Sequence, residues 1–284
     1  MPEKHEIRPG QSLELLKELH ILTREGRLNQ DSRRKLKQVY HLYHFIEPLL
    51  EEVLAKEGAV HLVDVGAGKS YLGFILYDLF FKARPEACVV IGIETRAELV
   101  TKARELAARL GFAGMRFLDR PIAAALEAPE LPARIDIVTA LHACDTATDD
   151  AIRFALHRRA QFVVLVPCCQ AEVAAWLRKR KGEALAQPLA ELWRHPLHTR
   201  EFASLVTNVL RCLQLEAHGY QVSVTELVGW EHSLKNELIL ARRTGRPQRH
   251  RGERLKAILA FLGLQDDLAE RFFLPRSDRS YDDR

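Results

Sequence analysis

The chain has 284 residues, with 42 Lys or Arg, 38 Asp or Glu and 47% hydrophobic residues. That length suits one large domain, or one domain with small terminal additions, and 15 Gly with 12 Pro exclude a collagen-like or low-complexity chain. The net charge of +4 does not by itself mark a nucleic-acid binder, and five Cys, two of them adjacent, do not suit a secreted disulfide framework, so a cytoplasmic setting is expected. No apolar run approaches the roughly 18 residues needed to span a bilayer. The strongest candidate, Tyr71 to Phe81, contains Asp78, and MPEKHEIRPG holds no apolar signal-peptide core. No membrane partner is expected.

In chain order, residues 11 to 23 and 32 to 56 read as helices. In the second, Leu36, Val39, Tyr40, Tyr43, Ile46, Leu50 and Val53 recur at spacings of three and four, and Pro48 is expected to kink or divide it. From residue 59 the texture changes. AVHLVDVGAGKS and ACVVIGIE are short apolar runs that end in acids, MRFLD follows, and RIDIVTALHAC and QFVVLVPCC come next. Helical patterns at Tyr71 to Lys82, Ala97 to Leu110, Ile122 to Leu126 and Asp149 to Arg158 separate them. Strands that are apolar throughout and alternate with helices predict a parallel, doubly wound α/β sheet covered on both faces. After a helical stretch at roughly 171 to 217, YQVSVTELVGW and NELILARR read as a closing, antiparallel strand pair at one edge. Residues 242 to 256 then carry six Arg and one Lys against one Glu. The helix LKAILAFLGL follows, and a tail, PRSDRSYDDR, reads as disordered.

The most informative stretch is Asp64-Val65-Gly66-Ala67-Gly68-Lys69-Ser70, which ends a strand and opens a helix. The two glycines allow a tight turn and a close backbone approach to a ligand. A phosphate loop of the form GxxxxGK[ST] would need Gly at position 63, which is Val63. A GxGxxG dinucleotide site would need Gly at position 71, where the bulky Tyr71 stands. D-V-G-A-G resembles instead the first motif of class I methyltransferases, whose ligand carries no phosphate, so the third glycine can be lost. Glu94, 26 residues past Gly68, ends the second strand, where an acid accepts hydrogen bonds from both ribose hydroxyls. The resemblance implies S-adenosyl-L-methionine as cofactor. Asp64, Gly66, Ala67, Gly68 and Tyr71 would bind it, the first four at its methionine part, with Glu94 at the ribose and Asp119 with Arg120 at the adenine.

A second group of residues ends the later strands: His142, Cys144 and Asp145 after the third long one, Pro167, Cys168, Cys169 and Gln170 after the fourth. Neighbouring strands about 4.8 Å apart would bring these side chains together beside the cofactor. Thr148 and Asp149 read as the cap and first turn of the following helix. LHACDTATD followed by PCC resembles a methyltransferase subfamily with HxCG…TD and CC strand ends, which includes eukaryotic acceptor-stem tRNA 2′-O-methyltransferases and methyltransferase-like proteins of unknown substrate. The resemblance runs over about residues 33 to 242, including Lys235-Asn236-Glu237-Leu238-Ile239-Leu240-Ala241. Asp145 stands where many relatives have Gly, and the chain has no Cys/His zinc-finger module of the kind the eukaryotic tRNA enzymes carry.

Three roles are open for the cysteines. Pro167-Cys168 with Gln170 resembles the PCQ of cytosine C5-methyltransferases, though with an extra Cys. CC and HxC are poor spacings for tetrahedral zinc, and no metal is expected. In the third role they pack as small apolar residues near the cofactor. His142 or Asp145 could act as general base, and His142, Asp145, Cys168 and Lys235 are the acceptor-side candidates, with His142 also able to touch the cofactor.

The expected architecture is a Rossmann-like methyltransferase sheet, mostly parallel with an antiparallel edge strand. It comprises a helical N-terminal addition over 1–57, a methyltransferase domain over 58–243, and a basic C-terminal extension with a short helix and a disordered tail over 244–284. Three basic groups are Arg33-Arg34-Lys35 with Lys37, Arg178 to Lys181, and Arg242, Arg243, Arg246, Arg249, Arg251 and Arg254. If they share the face carrying the strand ends, they form a phosphate-binding track. The expected activity is then methyl transfer to RNA, tRNA or rRNA. The alternatives are a protein or small-molecule acceptor, or a non-catalytic RNA-binding protein that kept the fold.

Overall fold

In the computed structural model, the described residues are 7–84, 86–141, 143, 145–167, 170–179, 188–227 and 237–272. Seven strands form one sheet: β1 (Val60–Val65), β2 (Cys88–Glu94), β3 (Met115–Asp119), β4 (Ile137–Leu141), β5 (Phe162–Val166), β6 (Tyr220–Glu226) and β7 (Glu237–Arg243). Their order is β3-β2-β1-β4-β5-β7-β6. The first five run parallel. β7 runs antiparallel to β5 and to β6, so the closing pair of the sequence reading occupies one edge with β6 outermost. The order grows outward in both directions from β1 and β4. Their carboxyl ends therefore flank the crevice where doubly wound sheets bind ligands.

The four inner strands β1, β2, β4 and β5 are buried on both faces, which explains their unbroken apolar runs, whereas the edge strand β6 is mostly exposed. On one face α1 (Leu13–Glu18), α2 (Gln30–Glu57), α3 (Tyr71–Leu79) and α4 (Ala97–Arg109) pack with Val60, Leu62, Val90 and Ile137. On the other, α5 (Ile122–Ala125) and α6 (Thr146–His157) pack with Val63, Val65, Ile91, Ile93 and Val138. Leu62 and Val63 thus face opposite ways, as strand periodicity requires. A third apolar cluster joins α7 (Ala171–Lys179), α8 (Pro196–Ala217), α9 (Arg249–Phe261) and α10 (Gln265–Leu268) through Leu177, Leu210, Leu255, Leu259 and Leu268. The basic segment after β7 therefore leads into a helix that packs on α7 and α8. Within it, Arg249, Arg251 and Arg254 belong to the first turns of α9, which starts earlier than LKAILAFLGL.

The expected division of the second helix does not occur. α2 runs unbroken for 28 residues through Pro48. Asn29 caps its start by accepting from the Ser32 N–H at 2.8 Å, and Gly58 ends it in the left-handed region at φ 71°. Ile46, Leu50 and Val53 are fully buried on either side of the proline, and that packing fixes the axis. Pro48 itself is exposed, so the carbonyl it leaves without a donor can be hydrated. Because a helix-interior proline costs up to ~3 kcal/mol and proline's restriction of the unfolded chain returns ~0.4–1 kcal/mol, Pro48→Ala should stabilise the fold by about 1–2 kcal/mol. Urea unfolding checks this, and an unchanged or lower midpoint would count against it.

Candidate functional site

Between β1 and α3 the backbone turns with Gly66 at φ 64° and Gly68 at φ 58°, in the region glycine enters without penalty. A Cβ on Gly66 would stand 3.4 Å from the Cβ of Ala143, just past β4. The missing side chain keeps open the gap between the two strand exits. The turn is tied to β2 by two bonds: Ala67 N–H donates to the Ile93 carbonyl at 3.0 Å, and Gly68 N–H donates to Glu94 Oε2 at 2.7 Å.

Glu94 is 7% exposed and gathers donors on both oxygens. Besides Gly68, Oε1 accepts from Thr95 N–H at 3.0 Å and from Arg96 N–H at 3.1 Å, while the Arg96 guanidinium reaches Oε1 at 3.0 Å and Oε2 at 3.2 Å. Burial works to raise this carboxyl, but the Arg96 side chain and backbone and the Gly68 N–H outweigh it and hold the group down at about 2. It is an ionised acceptor at the rim of the crevice. Asp64 is the opposite case. It lies inside β1, 2% exposed, and its carboxylate accepts from the Thr139 hydroxyl of β4 at 2.7 Å. Burial pushes it up to about 7 against the pull of that one bond.

Asp64, Gly66, Ala67, Gly68 and Glu94 thus converge. Asp119 ends β3 in register with Glu94 and is exposed. Arg120 donates its N–H to the Glu94 carbonyl at 3.1 Å and its guanidinium to Glu130. Tyr71, at the start of α3, packs with Leu16, Ile21, Leu36 and Val39 from the N-terminal segment, and burial raises its hydroxyl. The apolar N-terminal helices therefore hold the start of α3.

Of the acceptor-side candidates, His142, Cys168 and Lys235 lie outside the described residues, as do Cys144 and Cys169. Asp145 has φ 52° and ψ −120°, a conformation suited to glycine. Two backbone N–H groups at the start of α7, those of Ala171 at 2.9 Å and Glu172 at 3.1 Å, donate to its Oδ1 and hold it there. Thr148 is not the helix cap that the sequence suggested. α6 begins at Thr146, and the Thr148 hydroxyl donates back to the Ala143 carbonyl.

Behind these strand ends lies a buried polar network that the sequence reading missed. Arg211 of α8 is fully buried and binds Asp149 with two bonds of 2.8 Å. It also donates to the Asp145 carbonyl at 2.9 Å and to Asn208 Oδ1 at 3.3 Å. Gln170 donates to the same Asn208 oxygen at 3.3 Å and accepts from Ser204 at 2.8 Å, and Asn208 donates to Glu237 of β7 at 2.7 Å. The Gln170 amide is thus committed to the scaffold. The one sequence signal was a lone Arg inside the apolar run Val209-Leu210-Arg211-Cys212-Leu213. Among the described residues, no three His, Cys, Asp or Glu are grouped to hold a metal ion, and no helix is long and apolar enough to cross a membrane.

The three basic groups do not share one face. Arg242 pairs in register with Phe162, the first residue of β5, so it and Arg243 lie at the opposite end of the sheet from the glycine turn. Arg242 binds Glu52, and Arg251 binds Glu216 at 3.2 Å. Arg178 and Lys179 end α7, a helix length from its capped start, while Arg180 and Lys181 lie outside the described residues. Only Arg33, Arg34 and Lys37 lie toward the carboxyl ends.

Two measurements test the site's electrostatics. With its carboxyl raised by folding, Asp64 keeps a proton that the unfolded chain has lost between about pH 4 and about 7. Its contribution is therefore full below that window and lost as pH rises through it. Asp64→Asn should flatten the fall in unfolding free energy across the window, and an unchanged pH slope would refute the assignment. Arg211→Met should cost about 3–5 kcal/mol, because it strands a buried carboxylate, whereas Arg211→Met with Asp149→Leu should recover most of that loss. Equal losses in the single and double variants would show that the pair carries no such energy.

Residues 34–176, half of the chain, match the family model described as a methyltransferase domain. The chain is 26% identical over 245 residues to the glutathione S-transferase C-terminal domain-containing protein of Bos taurus, which covers 78% of this chain and 35% of that protein. It thus spans about a third of that relative's length. It is 41% identical over 83 residues to the sensor protein PhoQ of Escherichia coli K12, covering 27% of this chain and 17% of the other. Among solved structures it is similar to the magnesium protoporphyrin IX methyltransferase of Synechocystis PCC 6803 with bound SAH, at 13% identity and a TM-score of 0.43, over 81% of this chain and 93% of that one. With half its length matched, the chain belongs to this methyltransferase domain family, and its strands form a doubly wound, Rossmann-like sheet around the glycine turn.

Proposed function

We propose that the protein transfers a methyl group from S-adenosylmethionine to RNA, with tRNA or rRNA as the acceptor class. The observation that carries the cofactor half is the Glu94 carboxylate, ionised and bound to the Gly68 N–H at the mouth of the β1–β4 crevice. A vicinal diol needs such an acceptor, and the glycine turn beside it leaves room for a ligand's backbone-hugging part. These residues fit the group: Glu94 would hold the ribose, Asp119 and Arg120 would border the adenine, and Asp64 with Gly66 to Gly68 would lie under the methionine part. When bound, the cofactor supplies an electrophilic methyl group on a positively charged sulfur.

The protein's own work is mainly to position the acceptor. His142, between Leu141 and Ala143 on the β4 exit, is the base that would take the acceptor's proton. Asp145 serves as a positioning residue, since its carboxylate is already engaged with two N–H groups of α7. Cys168 and Lys235 complete the acceptor side in this reading. The RNA half is supported by the basic start of α2, where Arg33, Arg34 and Lys37 are exposed, and by the resemblance of LHACDTATD and PCC to a subfamily that includes tRNA methyltransferases.

The test uses S-adenosylmethionine labelled in its methyl group, purified protein, and RNA from cells lacking the gene. Ribonuclease-sensitive label is expected. Glu94→Ala should weaken S-adenosylhomocysteine binding at least tenfold by calorimetry. Wild-type protein that binds S-adenosylhomocysteine but leaves RNA unlabelled would refute the RNA acceptor. Wild-type protein that binds no S-adenosylhomocysteine would refute the cofactor assignment.

A further inference from the structure

α2 is longer than the sheet it covers. Its 28 residues rise about 42 Å, whereas the six residues of β1 span about 20 Å. Gly58 ends the helix two residues before β1 begins, so the helix runs back along the strand toward its carboxyl end. Leu36 and Val39 pack against Ile75 of α3, in the cluster that also takes Tyr71. The first turns of α2 therefore stand at the level of the glycine turn and beyond it.

Charge along α2 is divided. In its second half Glu51, Glu52 and Glu57 face Arg84, Arg242 and Arg134 in ion pairs. The first half and the loop before it are basic: residues 24 to 37 hold six Arg or Lys against two acids, an excess equal to that of the whole chain. Arg33, Arg34, Lys37, His41 and His44 are all exposed. Their spacing of three and four residues puts Arg33, Lys37, His41 and His44 along one face, over about 16 Å. Among the described residues, none of Arg33, Arg34 and Lys37 is held in an ion pair. Lys69, exposed in the glycine turn itself, adds a further cation on the same rim. Cations that merely solubilise a helix are usually interspersed with acids in comparable number, whereas here they outnumber the acids of residues 24 to 37 by six to two.

We infer that the amino-terminal half of α2, with Arg33, Arg34 and Lys37 at its centre, is the surface that holds the phosphate backbone of the RNA acceptor. The inference rests on the RNA reading above and narrows it. It assigns binding to this stripe and excludes the arginines that end and follow β7, of which Arg242 lies at the opposite end of the sheet and both Arg242 and Arg251 are in ion pairs. A chain of phosphates fits better than an acidic protein surface because the stripe offers cations at regular intervals with little apolar area between them.

The test measures binding of bulk tRNA to the full chain by fluorescence anisotropy between 50 and 200 mM KCl. Two variants are compared with wild type: Arg33→Gln/Arg34→Gln/Lys37→Gln on α2, and Arg246→Gln/Arg249→Gln/Arg254→Gln beyond β7. The α2 variant should lose at least tenfold in affinity and flatten the log–log salt slope by about 2–3, since each lost phosphate contact removes roughly 0.7–0.9. The control variant should stay within twofold. Both should bind S-adenosylhomocysteine as wild type does, which shows that the fold is intact. If wild type binds tRNA and the α2 variant binds it equally well, or the control loses as much, the stripe is refuted while the RNA reading stands. If wild type binds no tRNA, or binds polyglutamate as tightly at equal salt, the RNA reading fails and the stripe with it.

Discussion

The site depends on one constraint, the reversal of strand order between β1 and β4. Two chain exits leave the sheet side by side and turn to opposite faces, so the space between them is bounded by backbone rather than filled by helices. Gly66 exists in that setting because Ala143 passes within contact distance of where its side chain would be. Glu94, at the next strand end, completes the rim by accepting the Gly68 N–H. The turn, the acid and the exit of β4 form one device.

The carboxyl groups of Glu94 and Asp64 share a neighbourhood, and their affinities for a proton are shifted in opposite directions. Glu94 sits at a strand end among N–H and guanidinium donors. Asp64 sits inside a strand where, among the described residues, the Thr139 hydroxyl is its one side-chain partner. The difference comes from the number of donors each can collect, and that number follows from position along the strand. On the acceptor side the same logic takes another form. Asp145 holds a backbone conformation suited to glycine, and the two α7 N–H groups and the Arg211 contact to its carbonyl compensate for the strain.

Much of this was legible in the sequence because it rests on local rules. Apolar runs broken by helices dictate a parallel sheet, and the acids and glycines at strand ends mark the crevice. The continuity of α2 through Pro48 was not legible, since packing of Ile46, Leu50 and Val53 against the sheet overrides a local penalty. Thr148 was misread as a cap because its hydroxyl has a tertiary partner, the Ala143 carbonyl, that sequence distance does not reveal. The Arg211 network spans α6, α7, α8 and β7 and could be anticipated only as one polar residue in an apolar helix. The basic clusters could be counted but not placed, because placement depends on strand register, such as that of Arg242 opposite Phe162, and on how the helices pack.

That reversal of β7 bears on what the smallest folding unit can be. The segment that matches the family model ends at residue 176, which leaves β5 without its neighbour and Val163, Val164 and Leu165 with an open backbone edge. The same cut removes Arg211 and leaves Asp149 as a buried carboxylate with no counter-charge. The recognisable half carries the crevice, and the unrecognised half closes its sheet and neutralises its core. A fragment trimmed to the recognisable borders would be prone to pair edge to edge with its own copies, so these borders mark shared ancestry and not a separable body.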